Sequence, residues 1–479
     1  MAATSALSDA ERTRQLKKIS SASIIGTALE WYDYYLYGIA SALIFGPLFF
    51  PGLGSLGGTL ASFATFAVGF VVRPFGGVYF GALGDKWGRK RVLVVTLLLM
   101  GLATTAIGLV PDARSIGALA PILLVLLRLI QGFGAGAEFG GAVLMCAETA
   151  PKRRRGFFSS LPQIGVALGG LAATGSFALF QNAMSEETFQ NIGWRIPFIL
   201  SSVAVAVGLF IRLRVVETPV FEKLKDEGAA AEKPLREVAR THKRSLLIAV
   251  GARFADNGVA YIYQTFVLSY AVSELGRAKG PLLTGVAIAS AVAIFATPTW
   301  GGLSDRFGRR RVYLTGAAFS AAVVFPFFEL LKSGPDWLIV VALVIALTVG
   351  KEMMSAPQAA LFAELFDTRV RYTGFSSARE LTSILGGFIP LIATALVGLS
   401  GSSWPVAVLL VVMIAITFVA LWIAPETKDR DMDVDYAPLN GYAGKRLLPG
   451  DELAAAYAAQ RSQTSTETTP SDTTSKVTS

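Results

Sequence analysis

Acidic and basic side chains stand in the middle of long apolar runs, at spacings that place them on common helix faces. In the first run Glu30, Asp33 and Tyr37 follow at i, i+3 and i+7, which is one face of a helix. In the fourth, Arg128, Gln131, Ala135 and Glu138 follow at i, i+3, i+7 and i+10, again one face. In the seventh, Arg253, Asp256, Asn257, Tyr261 and Gln264 form a polar stripe too dense to face lipid. Charges inside a bilayer are costly, and they face a cavity or a partner. A carboxylate that pairs with an arginine in one state and leaves it in another can take up and release a proton, because its pKa moves between the states. Proton coupling is thus expected of Asp33 with Arg128, with Glu30 and Glu138 as further carboxylates. A permanent structural ion pair would use the same residues. Tyr37, Gln131, Asp256, Asn257, Tyr261 and Gln264 are candidates for contact with a polar ligand.

Helices must carry these residues across a membrane. Of 479 residues, 53% are apolar and 16% charged, well below the charged quarter of soluble domains. Apolar segments run near 22–46, 57–82, 92–110, 116–146, 157–181, 194–212, 245–273, 281–303, 312–331, 336–360, 372–400 and 403–424. Each approaches or exceeds the roughly 20 residues that a crossing helix needs. The expected fold is an all-α membrane protein of twelve transmembrane helices in two pseudo-symmetric six-helix bundles. With a rise of about 1.5 Å per residue, Asp33 and Arg128 both fall near the bilayer midplane.

The net charge of +9 is topology rather than a nucleic-acid footprint. Lys and Arg crowd the loops of one side: Arg12 to Lys18, Lys86 to Arg91, Lys152 to Arg155, 213–244, Arg306 to Arg311, and Arg369 with Arg371. The other side receives Arg114, Arg277, Lys279 and Lys332. Both termini and the central loop are therefore expected in the cytoplasm, with the chain in the plasma (inner) membrane. The expected division is a cytoplasmic N-terminus 1–20, a bundle 21–213, a linker 214–244, a second bundle 245–425 and a largely disordered cytoplasmic tail 426–479. Single copies of cysteine (Cys146) and histidine (His242) exclude an internal disulfide and a histidine-rich metal site. Residues 1–20 are polar and give no sign of a cleavable signal peptide. No phosphate-cradling GxxxxGK[ST] loop occurs, so ATP drive and other cofactors are not expected.

The chain repeats itself. Gly81-Ala-Leu-Gly-Asp-Lys-Trp-Gly-Arg-Lys-Arg-Val92 returns as Gly301-Gly-Leu-Ser-Asp-Arg-Phe-Gly-Arg-Arg-Arg-Val312, 220 residues on. Glu148-x-x-Pro151-x-x-x-Arg155-Gly156 is echoed by Glu364-x-x-Asp367-x-x-x-Arg371-x-x-Gly374, and Glu217-Thr218 by Glu426-Thr427. Two halves with matching punctuation are a mark of secondary transporters.

The G-x-L-x-D-x-x-G-R-[RK] loop between helices 2 and 3, repeated between 8 and 9, resembles the signature of the major facilitator superfamily. Gly26-Thr27-x-x-Glu30-Trp31-Tyr32-Asp33, Arg73-Pro74-x-Gly76-Gly77, Arg128-Leu-x-Gln131-Gly132 through Glu138, and Gly193-Trp194-Arg195-Ile196-Pro197-Phe198 resemble its metabolite:proton symporters, which include permeases for α-ketoglutarate, citrate, shikimate, and proline or betaine. The resemblance implies alternating access and a cytoplasmic gate built from Asp85, Gly88, Arg89, Asp305, Gly308 and Arg309, with the echoed Glu148, Arg155, Glu364 and Arg371 beside it. Arg73 is expected to serve the same network. The resemblance also makes Arg195 a candidate for a substrate carboxylate, although an arginine at a helix end equally suits snorkelling. Arg379 of helix 11 is a further candidate anion partner. Lys351 and Glu352, adjacent in helix 10, are expected to need separate partners.

The expected function is a non-enzymatic, proton-coupled symport of a small organic acid, by a chain acting as a monomer with protons, a small-molecule substrate and the lipid bilayer as its partners. A zwitterionic solute such as proline or betaine, or a uniporter or exporter of the same fold, is the alternative.

Overall fold

The computed structural model describes residues 9–87, 89–136, 138–213, 234–367, 370–430 and 432. Twelve long helical segments follow one another: α1 (Asp9–Leu43), α2 (Gly54–Trp87), α3 (Arg89–Leu109), α4 (Leu119–Ala135 and Glu138–Thr149), α5 (Arg155–Ala183), α6 (Arg195–Leu213), α7 (Lys243–Tyr261, Ile262–Phe266 and Val267–Ser273), α8 (Lys279–Phe307), α9 (Arg309–Ser333), α10 (Asp336–Ile345, Ala346–Lys351 and Glu352–Leu365), α11 (Arg371–Ser400) and α12 (Trp404–Ile423). α1 begins well before its apolar run, at Asp9.

Among the described residues, eight helices are long and apolar enough to cross a membrane on their own, and a bent pair at α6 makes a ninth. α1 and α7 are not among these; their central stretches carry Glu30 and Asp33 in one and Arg253 and Asp256 in the other. These side chains are buried, while Phe75, Leu102, Leu179, Phe210, Phe295, Trp337, Leu399 and Trp422 are exposed on the outside. Polar inside and apolar outside is the arrangement that lipid selects.

α5 packs on α1 within the first bundle and on α8 of the second; α2 packs on α4 and on α11. The two seams between bundles, α5–α8 and α2–α11, are counterparts under the internal repeat. Within the first bundle, glycine brings α2 and α4 close. A Cβ on Gly132 would stand 2.0 Å from the Gly69 carbonyl, one on Gly76 1.9 Å from the Phe133 carbonyl, and one on Gly136 2.1 Å from the Arg73 carbonyl. α2 and α4 thus touch backbone to backbone, the way small residues drive packing where lipid removes the hydrophobic force. The repeated loop reverses the chain over a single residue, Gly308 at φ +103°, between α8 and α9.

Gly76→Ala should therefore force α2 and α4 apart and destabilise the fold by roughly 1–3 kcal/mol. Gly175→Ala, where nothing lies within 4 Å of the new methyl, should be neutral. Thermal unfolding of the purified variants in detergent distinguishes them; equal midpoints would refute the contact.

Candidate functional site

Asp33 sits among hydroxyls. It accepts hydrogen bonds from Thr104 of α3 and Ser201 of α6, both at 2.8 Å. The expected direct pair with Arg128 is not formed. Arg128 donates instead to Gln131, and Gln131 donates to Thr104 at 2.7 Å. Neutral groups thus link the two charges. The cause is an aromatic cage, in which the guanidinium lies 4.3 Å from the Tyr37 ring centroid, 4.6 Å from Tyr34 and 5.0 Å from Phe66, an attraction that strengthens on desolvation. Gly69 leaves the room, since a Cβ there would fall 2.4 Å from Arg128 Nε. Tyr37 donates to Thr65 at 2.8 Å. Tyr37 and Gln131, expected to meet ligand, are fully buried supports of Arg128 behind the cavity wall.

Glu30 pairs with Arg73 at 3.0 Å, and Arg73 also holds Glu380 of α11 at 2.7 Å. Arg73, expected in the loop network, instead spans the two bundles. Glu138 is buried at the start of the second segment of α4.

Between the bundles lies a cavity of about 60 Å³. Its first-bundle wall is aromatic: Trp31, Tyr34, Tyr35, Phe66 and Phe70. Its second-bundle wall is polar: Arg253, Asp256, Asn257, Tyr261, Gln264, Lys351, Ser355 and Arg379. The expected Asp256, Asn257, Tyr261, Gln264 and Arg379 are therefore together on one wall. The aromatics of α1 other than Tyr37 were not singled out by the sequence reading, yet three of them face the ligand space. Tyr35 reaches across to accept this role, donating to Gln264 at 2.9 Å.

The polar wall is short of negative charge. Asp256 accepts from Ser355. Arg253 donates to the neutral Gln358 at 3.0 Å. Lys351 pairs with its neighbour Glu352 at 2.5 Å, and Glu352 also accepts from Thr297 at 2.8 Å. The expectation of separate partners therefore fails; the pair stands where the π-helical turn Ala346–Lys351 passes into the α-helix that begins at Glu352. Gln264 lies in a second such turn, Ile262–Phe266. Arg379 is 4% exposed, stands 3.4 Å over the Phe139 ring, and has no hydrogen-bond acceptor among the described residues; its Nε is 3.8 Å from Glu380.

Arg195 lies away from the cavity. It donates to the carbonyls of Gly108 at 3.1 Å and of Val110, and to Asn191 at 3.3 Å. It thereby satisfies the C-terminal end of α3, whose last carbonyls lack helical partners.

At the end that carries the basic loops, the bundles are stitched together. Asp305 of α8 accepts from the backbone N–H groups of Gly156 and Phe157, at 2.8 and 2.9 Å, a carboxylate at the electropositive start of α5. Arg309 holds Asp305 at 2.7 Å and Glu364 at 3.3 Å. Arg155 reaches Glu364 at 3.2 Å, and Arg371 reaches Glu148 at 3.4 Å. The expected Asp305, Arg309, Glu364 and Arg155 thus share one network, with Gly308 at its turn and the Glu148–Arg371 pair at the same end; Gly88 and the side chains of Asp85 and Arg89 lie outside the described residues. The segment after α12 joins in. Glu426 caps α9 at the N–H of Arg309, 2.9 Å away, Thr427 donates to Glu364 at 2.7 Å, and Arg430 pairs with Asp367 at 2.9 Å. His242 meets Asp367 on its other oxygen at 3.0 Å. Glu426-Thr427 was visible as a repeated pair, but nothing in its spacing reveals what it caps.

Two helical bundles around a central cavity, latched at one end, form the architecture of a membrane transporter. The family model "Sugar (and other) transporter" matches residues 19–241 and 222–435. The Shikimate transporter of Escherichia coli is 39% identical over 391 residues, covering 81% of this chain and 89% of that protein. The glycine betaine/proline/ectoine/pipecolic acid transporter OusA of Dickeya dadantii is 35% identical over 430 residues, 87% of this chain and 85% of that one. Among solved structures, the inward-open xylose transporter XylE from E. coli superposes with a TM-score of 0.67 at 17% identity, over 87% of this chain and 98% of that one. The chain belongs to the sugar (and other) transporter family and has the major facilitator fold. It is a multi-pass membrane transporter and not an enzyme.

Asp305→Ala should loosen the latched end. A reporter is available in Ser160, which is fully buried against Gly301. In a Cys146→Ser background, Ser160→Cys should react with a hydrophilic maleimide about tenfold faster when Asp305 is removed, a shift of roughly 1.4 kcal/mol. An unchanged rate would show that this contact does not hold the end closed.

Proposed function

We propose that the chain is a proton-coupled symporter that imports a small organic acid by alternating access. The observation that carries this reading is Arg379, a buried guanidinium on the cavity wall whose Nε has no hydrogen-bond acceptor and whose ion pair with Glu380 is long, at 3.8 Å. A buried charge so weakly paired is destabilising, and a ligand carboxylate is the group that would relieve it. Arginine's planar fork suits a carboxylate, and the low dielectric strengthens the pair. Arg253, satisfied only by an amide, adds positive potential beside it. The latched end is assigned to the cytoplasm by its excess of Lys and Arg, and the protein to the bacterial inner membrane with both termini inside. Coupling is assigned to the buried carboxylates of α1, and the transporting unit to the monomer.

The aromatic wall supports a second reading. Trp31, Tyr34 and Tyr35 could hold a quaternary ammonium by cation–π attraction, with the carboxylate of a betaine on Arg379. The relative OusA is named for such solutes.

In right-side-out vesicles an inward proton gradient should drive accumulation of a carboxylate, abolished by a protonophore; accumulation driven by sodium alone would overturn the coupling. Arg379→Gln should weaken carboxylate binding more than tenfold, on the order of 1.4 kcal/mol or more. If simple carboxylates fail to compete while glycine betaine does, the zwitterion reading replaces the organic acid.

A further inference from the structure

The charges around Arg379 form a chain. Glu30 of α1 bonds Arg73 of α2 at 3.0 Å, Arg73 bonds Glu380 of α11 at 2.7 and 3.3 Å, and Glu380 stands 3.8 Å from Arg379. All four are buried. Arg379 and Glu380 are consecutive, so they point about 100° apart on their helix. The first lines the cavity, and the second faces the other bundle. Ser383 also donates to Glu380, at 3.1 Å, the Tyr34 ring lies 4.8 Å from the Arg73 guanidinium, and Glu138 of α4 is within electrostatic reach of Glu30.

We propose that Glu30, Arg73, Glu380 and Arg379 act as one charge-balanced quartet, in which a substrate carboxylate on Arg379 is matched by a proton on the Glu380–Glu30 pair. The proposal rests on the carboxylate reading above. A ligand carboxylate at Arg379 adds one negative charge and satisfies the guanidinium that otherwise tempers Glu380. Two carboxylates then share Arg73 alone, and one of them takes a proton from water at its carboxylate oxygen. The loaded quartet carries the same charge as the empty one. Substrate alone leaves it a unit too negative, and a proton alone leaves it a unit too positive.

The switch itself must part Glu380 from Arg73, because they belong to different bundles. Separating a bare carboxylate from its buried partner is strongly unfavourable, and a neutral carboxyl avoids that cost. In the empty carrier, Arg379 is free to turn to Glu380 and accompany it. The quartet therefore permits movement when both ligands are present or both absent, which is the rule a symporter must obey. Asp33, held by two neutral hydroxyls with Arg128 at one remove, has no such exchangeable cation.

The test uses purified full-length protein with shikimate as probe, followed by other small monocarboxylates. In weakly buffered detergent solution with a pH-indicating dye, the wild type should take up about one proton per ligand bound, by linkage. In proteoliposomes its uptake should respond to a pH gradient and ignore membrane potential. Glu380→Gln should still bind ligand, take up no proton, and carry the ligand as an anion whose flux follows the potential. Glu30→Gln should behave alike, and Glu380→Asp should restore proton uptake, which guards against simple misfolding. If Glu380→Gln and Glu30→Gln both keep proton uptake while Asp33→Asn abolishes it, the quartet is not the coupling site. A wild type that binds carboxylate without a proton also overturns the quartet, while leaving the substrate reading intact. A wild type that binds none of the monocarboxylates sinks that reading first.

Discussion

Lipid forbids an uncompensated charge, and this one constraint arranges the molecule. Arg379 apart, the charged side chains of α1, α2, α7 and α10 described above find hydrogen-bonding partners inside the protein, and each partnership decides which helices lie together. Arg73 is the clearest case. Held by Glu30 from its own bundle and Glu380 from the other, it ties the bundles together beside the cavity wall that Arg379 lines. Removing any member would strand a buried charge, which is why such sets are hard to vary singly. Arg128 shows the alternative solution, an aromatic cage and an amide in place of a carboxylate.

These partnerships are possible because the helices approach closely. Gly69, Gly76, Gly132 and Gly136 let the backbones of α2 and α4 touch, and Gly69 also makes the hollow that Arg128 fills. The abundance of glycine in the chain has a specific reading here: it sets the distance at which a guanidinium can span helix to helix.

The twelve runs, their alternating basic loops and the doubled signature made the fold legible in the sequence, because hydrophobic length and period are local properties. Faces were legible for the same reason, so Asp256, Asn257, Tyr261 and Gln264 fell together on the cavity as their spacing requires. Partner choice was not legible. Asp33 and Arg128 share a depth, but depth leaves rotation about the helix axis open, and the cage around Arg128 comes from three positions on two other helices. Lys351 and Glu352 pair with each other despite being adjacent, at a π-turn of α10 that no residue pattern announced. Arg195 was drawn toward a ligand role by resemblance, whereas its neighbours are the free carbonyls at the end of α3. Glu380, beside the singled-out Arg379, gave no sign that it faced a different bundle.

The two bundles share an architecture and divide the chemistry. Closure at the basic end is borne mainly by the second bundle, where Asp305, Arg309, Glu364 and the strap from Glu426 to Arg430 converge. The first contributes the start of α5, Arg155 and Glu148. Glu364 is central to this knot, since it holds Arg155 of one bundle and Arg309 of the other while accepting from Thr427. An end built from so many charged contacts exposed to water on opening differs from the Glu30–Arg73–Glu380 cluster, where opening would bare a charge to a low-dielectric interior. The latch can part with water as a substitute partner; the cluster lacks that substitute. Under the coupling proposed above, loading acts on the cluster, and the latch sets only how readily the loaded carrier yields.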